Sequence, residues 1–283
     1  MHFGLVLTRL AVLCRADLAL LALLFAFAVP SPSALGQQPA GRDLKAVREA
    51  GVLRVAITRF DLPAFHWHAN GELTGPEITL AHQIATALGV QAAFIADAAS
   101  FDAVVDAVAA GRADIGISKL SQTYYRLLHV RFSDPYITLR HALLFSRAAV
   151  AARADGRSPD DVLRQFIGRI GVIRGSAYAD FARRNFPGAI VVDLPNWEAA
   201  VAGLVDGKVD AIYRDEFEIR RVLKLRPALN VHFGTAVVTD QKALLSVALC
   251  DTCAKMQELV NFHLTQTQGA FTLQGLLSDD AHE

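Results

Sequence analysis

An excess of charge of either sign is what this sequence lacks. Its 28 Lys and Arg balance 28 Asp and Glu over 283 residues, which leaves a formal net charge of +0. A balanced chain has no broad field with which to hold nucleic acid or an anionic membrane surface, so neither is expected as a partner. Cysteine is also scarce, with three residues in all. Metal centres and redox sites built on several thiolates are thereby excluded, and one local feature remains, the C-x-x-C pair Cys250 and Cys253. A thioredoxin-like context or further zinc ligands are not visible around it, which leaves a structural disulfide or two inert thiols.

Long apolar runs are missing too, except at the start. Residues 18–29, LALLALLFAFAV, follow Arg9 and Arg15 and precede the breaker segment PSPSALGQQPAG. That is a secretory signal pattern, with Ala34 and Gly36 small enough to flank a cleavage site before Gln37. The apolar core is short for a helix that must cross about 30 Å of hydrocarbon. Lipidation at Cys14 is disfavoured because Leu13 precedes it and the apolar run lies after it. The expected division is a signal peptide over 1–36, a linker over 37–42, and an exported chain with no later membrane span.

What is present after the leader is alternation of β-rich runs with helical periods, the pattern of an α/β protein whose mainly parallel sheets are covered by helices. VLRVAIT, QAAFIAD, ADIGIS, RIGVIR, AIVVDL, VDAIYRD and LLSVALC read as strands. EITLAHQIATAL puts Ile78, Ala81, Ala85 and Leu88 on one helical face. Ser158 followed by Pro159 reads as an N-cap and first helical residue.

One internal match organises the chain. FDAVVDAVAAGRADIGI at 101–117 aligns without a gap with WEAAVAGLVDGKVDAIY at 197–213. Each is an aromatic, an acid, an apolar helical face, a glycine, a base, an aspartate and a strand. Either two lobes share one plan or two ordinary helix-to-strand units look alike. In both cases the strands end at equivalent places, Ser118 and Lys119 in the first, Arg214 and Asp215 in the second. Ligands of open α/β sheets bind beyond such carboxyl ends, so both ends are expected at a crevice.

The order of motifs resembles the periplasmic solute-binding proteins of ABC importers, in particular the type II amino-acid-binding members. The resemblance rests on GVLRVAITRFDLPAFHWHANGELTGPEITLAHQIATALGV at 51–90, on the block FDAVVDAVAAGRADIGISKLSQTYYRLLHVRFSDPY at 101–136, and on IGVIRGSAYADFARRNFP and VDAIYRDEFEIRRVL in the second half. It implies a two-lobed fold joined by a two-strand hinge: lobe one over 43–144, lobe two over 145–238, and a return to lobe one over 239–283. It also implies that Arg126 pairs with the α-carboxylate of a bound amino acid, assisted by Ser118 and Ser121, and that Asp215 pairs with the α-ammonium. The chemistry agrees, because arginine presents a planar fork of donors that fits a carboxylate through two bonds at once. Asp215 could equally cap the helix that follows it, and the two roles are compatible. By the same resemblance Phe101 is an aromatic platform for the solute side chain, although an aromatic closing an apolar face can be core. Ser176 is a contact from the second lobe. FSDPY at 132–136 reads as a structural turn leading into the strand ITLRHALLFS.

Two departures bear on specificity. Many members of the family have an acid in the first loop where this chain has Arg59, and most have Ser, Gly or Thr where it has Lys119. Glutamate- and aspartate-binding relatives have an arginine in that loop, six residues ahead of a phenylalanine, as Arg59 stands to Phe65. The two cations therefore imply a solute with an acidic side chain, the alternatives being that Arg59 points to solvent and that Lys119 reaches toward Asp215 and leaves a neutral pocket. The function expected is extracytoplasmic amino-acid binding and delivery to a membrane permease by a monomer without cofactor or metal. An alternative on the same fold is a periplasmic dehydratase acting on cyclohexadienyl amino-acid precursors. It would need a positioned acid or base, for which Glu77, Glu198 and Glu216 are the available carboxylates.

Overall fold

The structure is a computed structural model that describes residues 41–267 and 272–279. The signal peptide and residues 37–40 of the expected linker lie outside the described residues. Strands in chain order are β1 (Val52–Thr58), β2 (Trp67–Ala69), β3 (Glu72–Thr74), β4 (Gln91–Ala98), β5 (Ile115–Gly116), β6 (Val130–Phe132), β7 (Ile137–Ser146), β8 (Arg169–Ile173), β9 (Ile190–Leu194), β10 (Ala211–Asp215), β11 (Phe233–Leu245) and β12 (Ala248–Cys250). Helices are α1 (Leu44–Ala50), α2 (Pro76–Leu88), α3 (Phe101–Ala109), α4 (Tyr124–Leu127), α5 (Arg147–Ala151), α6 (Pro159–Arg164), α7 (Ala177–Asn185), α8 (Trp197–Val205), α9 (Glu216–Leu225), α10 (Leu229–His232), α11 (Ala254–Gln266) and α12 (Leu273–Asp279).

Two five-stranded sheets carry the two lobes, in the orders β4-β1-β5-β12-β6 and β9-β8-β10-β7-β11. In each, three neighbours run parallel, β4-β1-β5 and β9-β8-β10, and the last two strands pair antiparallel. The mixture follows from the chain path. Crossover helices make the parallel half, while the antiparallel half pairs strands that come from distant segments of the chain, β12 with β5 and β6, and β7 with β10 and β11.

The internal match is structural. Ser100 and Asn196 cap α3 and α8 by accepting from the amides of Ala103 and Ala199 at 3.1 and 2.8 Å. Both helices lead into left-handed glycines, Gly111 at φ +67° and Gly207 at φ +70°, where a side chain would be strained. Asp114 and Asp210 then occupy equivalent places. Asp114 accepts from the amide and guanidinium of Arg54 on β1 at 2.7 and 2.8 Å. Asp210 does the same with Arg169 on β8 at 2.8 and 2.9 Å. In both cases burial raises the carboxyl, but the arginines outweigh it and hold it below the ordinary carboxylate value.

β7 and β11 pair antiparallel along their length, from Phe233 opposite Ser146 to Leu245 opposite Ile137, with a register break between Val238 and Lys242. These two strands form the connection between lobes. Ahead of β7, the Ser133 amide donates to the carbonyl of Val247 at 2.9 Å, so FSDPY is the structural turn expected of it. Cys250 and Cys253 are disulfide-bonded at the end of β12. No helix among the described residues is long and apolar enough to cross a membrane.

Candidate functional site

The cleft is built from the carboxyl ends of β5 and β10. On the first side, Ser118 is fully buried and its Oγ accepts from the amide of Thr58 at 2.9 Å, binding the exit of β5 to the end of β1. The next residue, Lys119, has φ +51°, a conformation uncommon for a side chain of this size. A buried carboxylate stabilises that turn: Glu77, fully buried in the first turn of α2, accepts from the Lys119 amide at 2.6 Å. Glu77 also pairs with His66 Nδ1 at 2.8 Å and accepts from the Tyr136 hydroxyl. The strained turn directs the Lys119 side chain across the cleft.

Its Nζ lies 2.7 Å from Glu218 Oε1 and 3.1 Å from Asp215 Oδ2, with the rings of Phe65 and Phe217 at 4.7 and 5.0 Å. Asp215 ends β10 and caps α9, accepting from the Glu218 amide at 3.1 Å. Burial alone would raise its carboxyl, but the Lys119 and Arg214 cations overcome this and hold it below the ordinary carboxylate value.

Arg126 follows the capping residue Thr123, whose Oγ1 accepts from the Arg126 amide at 3.2 Å. Only 1% of Arg126 is exposed. Nη1 donates to the carbonyl of Ser121 at 2.9 Å, while Nε and Nη2 donate to Asp102 Oδ1 at 3.0 and 2.8 Å. From the second lobe, Gly175 and Ser176 come down on the same place. Ser176 Oγ donates to the carbonyl of Ile173 at 2.7 Å, and the Asp102 amide donates to the carbonyl of Gly175 at 3.1 Å.

These groups surround a small cavity of about 10 Å³ lined by Phe101, Lys119, Ser121, Arg126, Ser176, Ala177, Tyr178, Arg214, Asp215 and Leu245. Six of the expected site residues are thus brought together: Phe101, Lys119, Ser121, Arg126, Ser176 and Asp215. Two are placed elsewhere. Ser118 is spent on the β1 amide, and Arg59 is exposed in the turn after β1, outside the cavity lining. Lys119, expected as a cation for the solute side chain, is instead neutralised by two carboxylates.

Arg214 is the residue that sequence reading left without a role. Its side chain is 5% exposed, and its guanidinium carbon lies 5.4 Å from the Phe101 ring, 5.6 Å from Trp197 and 5.9 Å from Tyr178. The signal that could have found this arrangement was the internal repeat. Phe101 and Trp197 are its matching first residues and converge on one group. Burial and then the Asp215 charge raise the Tyr178 hydroxyl well above its ordinary value. The hydroxyl is therefore neutral and polar rather than ionised.

The dehydratase alternative finds none of its three carboxylates in the cavity lining. Glu77 holds the Lys119 turn, Glu216 pairs with Arg140 at 2.6 Å, and Glu198 is exposed. No cluster of His, Cys, Asp or Glu suited to a metal ion occurs among the described residues.

Two α/β lobes connected by paired strands and facing each other across a charged cleft are the architecture of the periplasmic type II fold. The family model described as bacterial extracellular solute-binding proteins, family 3, matches residues 53–168. It is 25% identical over 190 residues to the ABC transporter arginine-binding protein 1 of Escherichia coli (strain K12), covering 62% of this chain and 74% of that protein. Histidine-binding periplasmic proteins are matched over 65% of their length. Among solved structures, an amino acid ABC transporter substrate-binding protein, AbpA, from Streptococcus pneumoniae Canada MDR_19A bound to L-arginine has a TM-score of 0.66 and 27% identity, covering 83% of this chain and 97% of that one. The ancestral amino acid-binding protein AncCDT-1, a precursor of cyclohexadienyl dehydratase, has a TM-score of 0.63 and 26% identity over the same shares.

Proposed function

We propose that the chain is an exported monomer that takes up an amino acid between its lobes and presents it to the permease of an ABC importer. The observation that carries this reading is that Arg126 and Asp215 line one cavity from opposite lobes. An α-carboxylate entering the cleft takes the Arg126 fork over from Asp102, whose side chain is 35% exposed and can turn to water. An α-ammonium takes the place of Lys119 Nζ at Asp215. Opening and closing proceed about β7 and β11, where the register of β11 breaks between Val238 and Lys242.

For the solute side chain, a carboxylate remains the first choice, but on a different cation from the pair suggested by the sequence. Arg59 lies outside the cavity and Lys119 is paired, whereas Arg214 Nε and Nη1 are buried without hydrogen-bond partners among the described residues. A second reading, a cationic amino acid, is favoured by the arginine-binding relative and the arginine-bound structure. Arg214 opposes it, since like charges in a desolvated cleft repel.

The deciding experiment is a thermal-shift and calorimetric screen of the amino acids on the mature chain, repeated with Arg126→Ala and Asp215→Ala. A stabilising amino acid whose effect vanishes in both variants supports the reading. Asp215→Ala should spare analogues that lack the ammonium. A screen without any binding amino acid removes the reading.

A further inference from the structure

We propose that Arg214 is the specificity-determining residue of the cleft: its guanidinium fills, from within the chain, an aromatic and carboxylate-lined box that would otherwise take a cationic side chain, and thereby excludes cationic solutes. The inference deepens the amino-acid reading above and rests on it for the identity of the solute, but not for the existence of the box.

The box has the chemistry of a guanidinium subsite. Phe101, Trp197 and Tyr178 stand around the Arg214 guanidinium at 5.4, 5.6 and 5.9 Å, within the roughly 6 Å at which a ring face attracts a cation. Two carboxylates complete it, with Asp215 Oδ2 3.6 Å from Nε and Glu218 Oε1 3.8 Å from Nη2. Those separations are ion-pair distances, too long for hydrogen bonds. Accordingly, Nε and Nη1 have no hydrogen-bond partner among the described residues although the side chain is 5% exposed. The Trp197 Nε1 and Tyr178 hydroxyl beside them are likewise buried and unpartnered. A structural arginine buried to this extent is ordinarily bonded through most of its donors. Here the rings and charges match the cation, while two donors of a side chain that lines the cavity are left unbonded among the described residues.

The rings come from both lobes. Phe101 begins α3 in the first lobe, and Trp197 and Tyr178 belong to α8 and α7 in the second. Closure therefore shuts the box around Arg214. A solute bearing its own guanidinium or ammonium would have to expel that side chain or add a positive charge beside it. A solute whose side chain carries an acceptor meets the open donors instead.

The test compares the wild-type chain with Arg214→Ala, using ethylguanidinium as a probe for the box and L-arginine as a solute. The expected result is that a folded Arg214→Ala protein is stabilised by ethylguanidinium and binds it at least tenfold more tightly than the wild type does. It should also gain affinity for L-arginine, and adding Trp197→Ala should remove both gains. If Arg214→Ala does not fold, Arg214→Gln carries the same measurement, because its shorter uncharged side chain leaves the box without a cation. A folded variant that responds to ethylguanidinium no more than the wild type overturns the proposal. So does a wild-type protein that binds L-arginine as tightly as it binds any acidic or neutral amino acid. The probe is not an amino acid, so the two readings fail separately. If no amino acid binds the wild type but ethylguanidinium fills the variant, the amino-acid reading falls and the box stands.

Discussion

Asp102 in the first lobe and Gly175 in the second are joined across the cleft by a backbone hydrogen bond of 3.1 Å from the amide of one to the carbonyl of the other. The contact depends on glycine twice over. Gly175 has φ +65°, and a Cβ built there would meet the Cβ and Oγ of Ser100 at 3.0 Å. Gly175→Ala is therefore expected to prop the lobes apart as well as strain the turn, at a cost of about 1 kcal/mol from the backbone alone. X-ray scattering should report a larger radius of gyration than for the wild type, and solute affinity should fall by about tenfold, 1.4 kcal/mol. An unchanged radius and affinity would mean that the Ser100 contact yields without opening the cleft.

Arg126 makes its bonds to a half-exposed carboxylate and to one carbonyl, so its removal strands little that water cannot reach. Arg126→Ala should remain folded, with a stability loss of about 1 to 2 kcal/mol from the orphaned Ser121 carbonyl and lost packing. Amino-acid affinity should drop by roughly 100-fold or more, because charge-assisted bonds are worth about 1.5 to 3 kcal/mol each. Arg126→Lys keeps the charge without the fork and should recover only a small part of that loss. Calorimetric titration of both variants is the check. Near wild-type affinity in either would take Arg126 out of the site.

The backbone plan and half of the cleft were legible because they are local. The glycine, base and aspartate that end each repeat fix a helix exit and a strand start, and they place Ser118, Lys119, Arg214 and Asp215 without tertiary information. Long-range pairing was not legible. Nothing in the sequence around Lys119 says that Glu77, 42 residues earlier, holds its amide, or that its ammonium finds Glu218, 99 residues later. Lys119 therefore read as an available charge for an acidic solute, with a contact to Asp215 as the alternative, and the structure shows that contact. Arg214 was passed over for a related reason. Its strand end was expected at a crevice, but nothing local says that the faces of Phe101, Trp197 and Tyr178 gather around it.

Lys119 offers a test of the ion cluster itself. Lys119→Met keeps much of the apolar stem between Phe65 and Phe217 but leaves Asp215 and Glu218 buried with Arg214 as their nearest cation, at 3.6 and 3.8 Å. Breaking a buried pair from one side typically costs about 3 to 5 kcal/mol, and the remaining arginine places the expectation at about 3. Without Lys119 the Asp215 carboxyl, which burial raises and Lys119 helps to hold low, takes up a proton more readily, which relieves the buried charge. The deficit relative to wild type should therefore shrink as pH is lowered from 8 to 5. Denaturant unfolding at both values is the measurement, and a deficit independent of pH would assign Lys119 a packing role only.

His141 supplies the last prediction, since it lies on β7 opposite both Asp215 and Val238. Its ring is 1% exposed, with Nδ1 bonded to the Tyr213 hydroxyl and Nε2 unpartnered among the described residues. Burial lowers its pKa from the ordinary 6.5 to about 4, against the nearby Asp215 and Asp240 charges that favour the proton. The folded chain therefore resists a proton that the unfolded chain accepts as pH falls below 6.5. Stability from this group is complete above that value and is lost as pH falls from 6.5 toward 4, by about 3 kcal/mol in all. Asp114, Asp210 and Glu216, whose carboxyls are held low, lose their contributions only at still lower pH. Asp180, whose carboxyl burial raises, acts in the opposite sense, so the diagnostic quantity is the difference between wild type and His141→Phe. Urea unfolding at pH 7, 6, 5 and 4.5 should show the wild type losing stability faster than His141→Phe across this window. Parallel curves would mean that the native state accommodates the protonated ring.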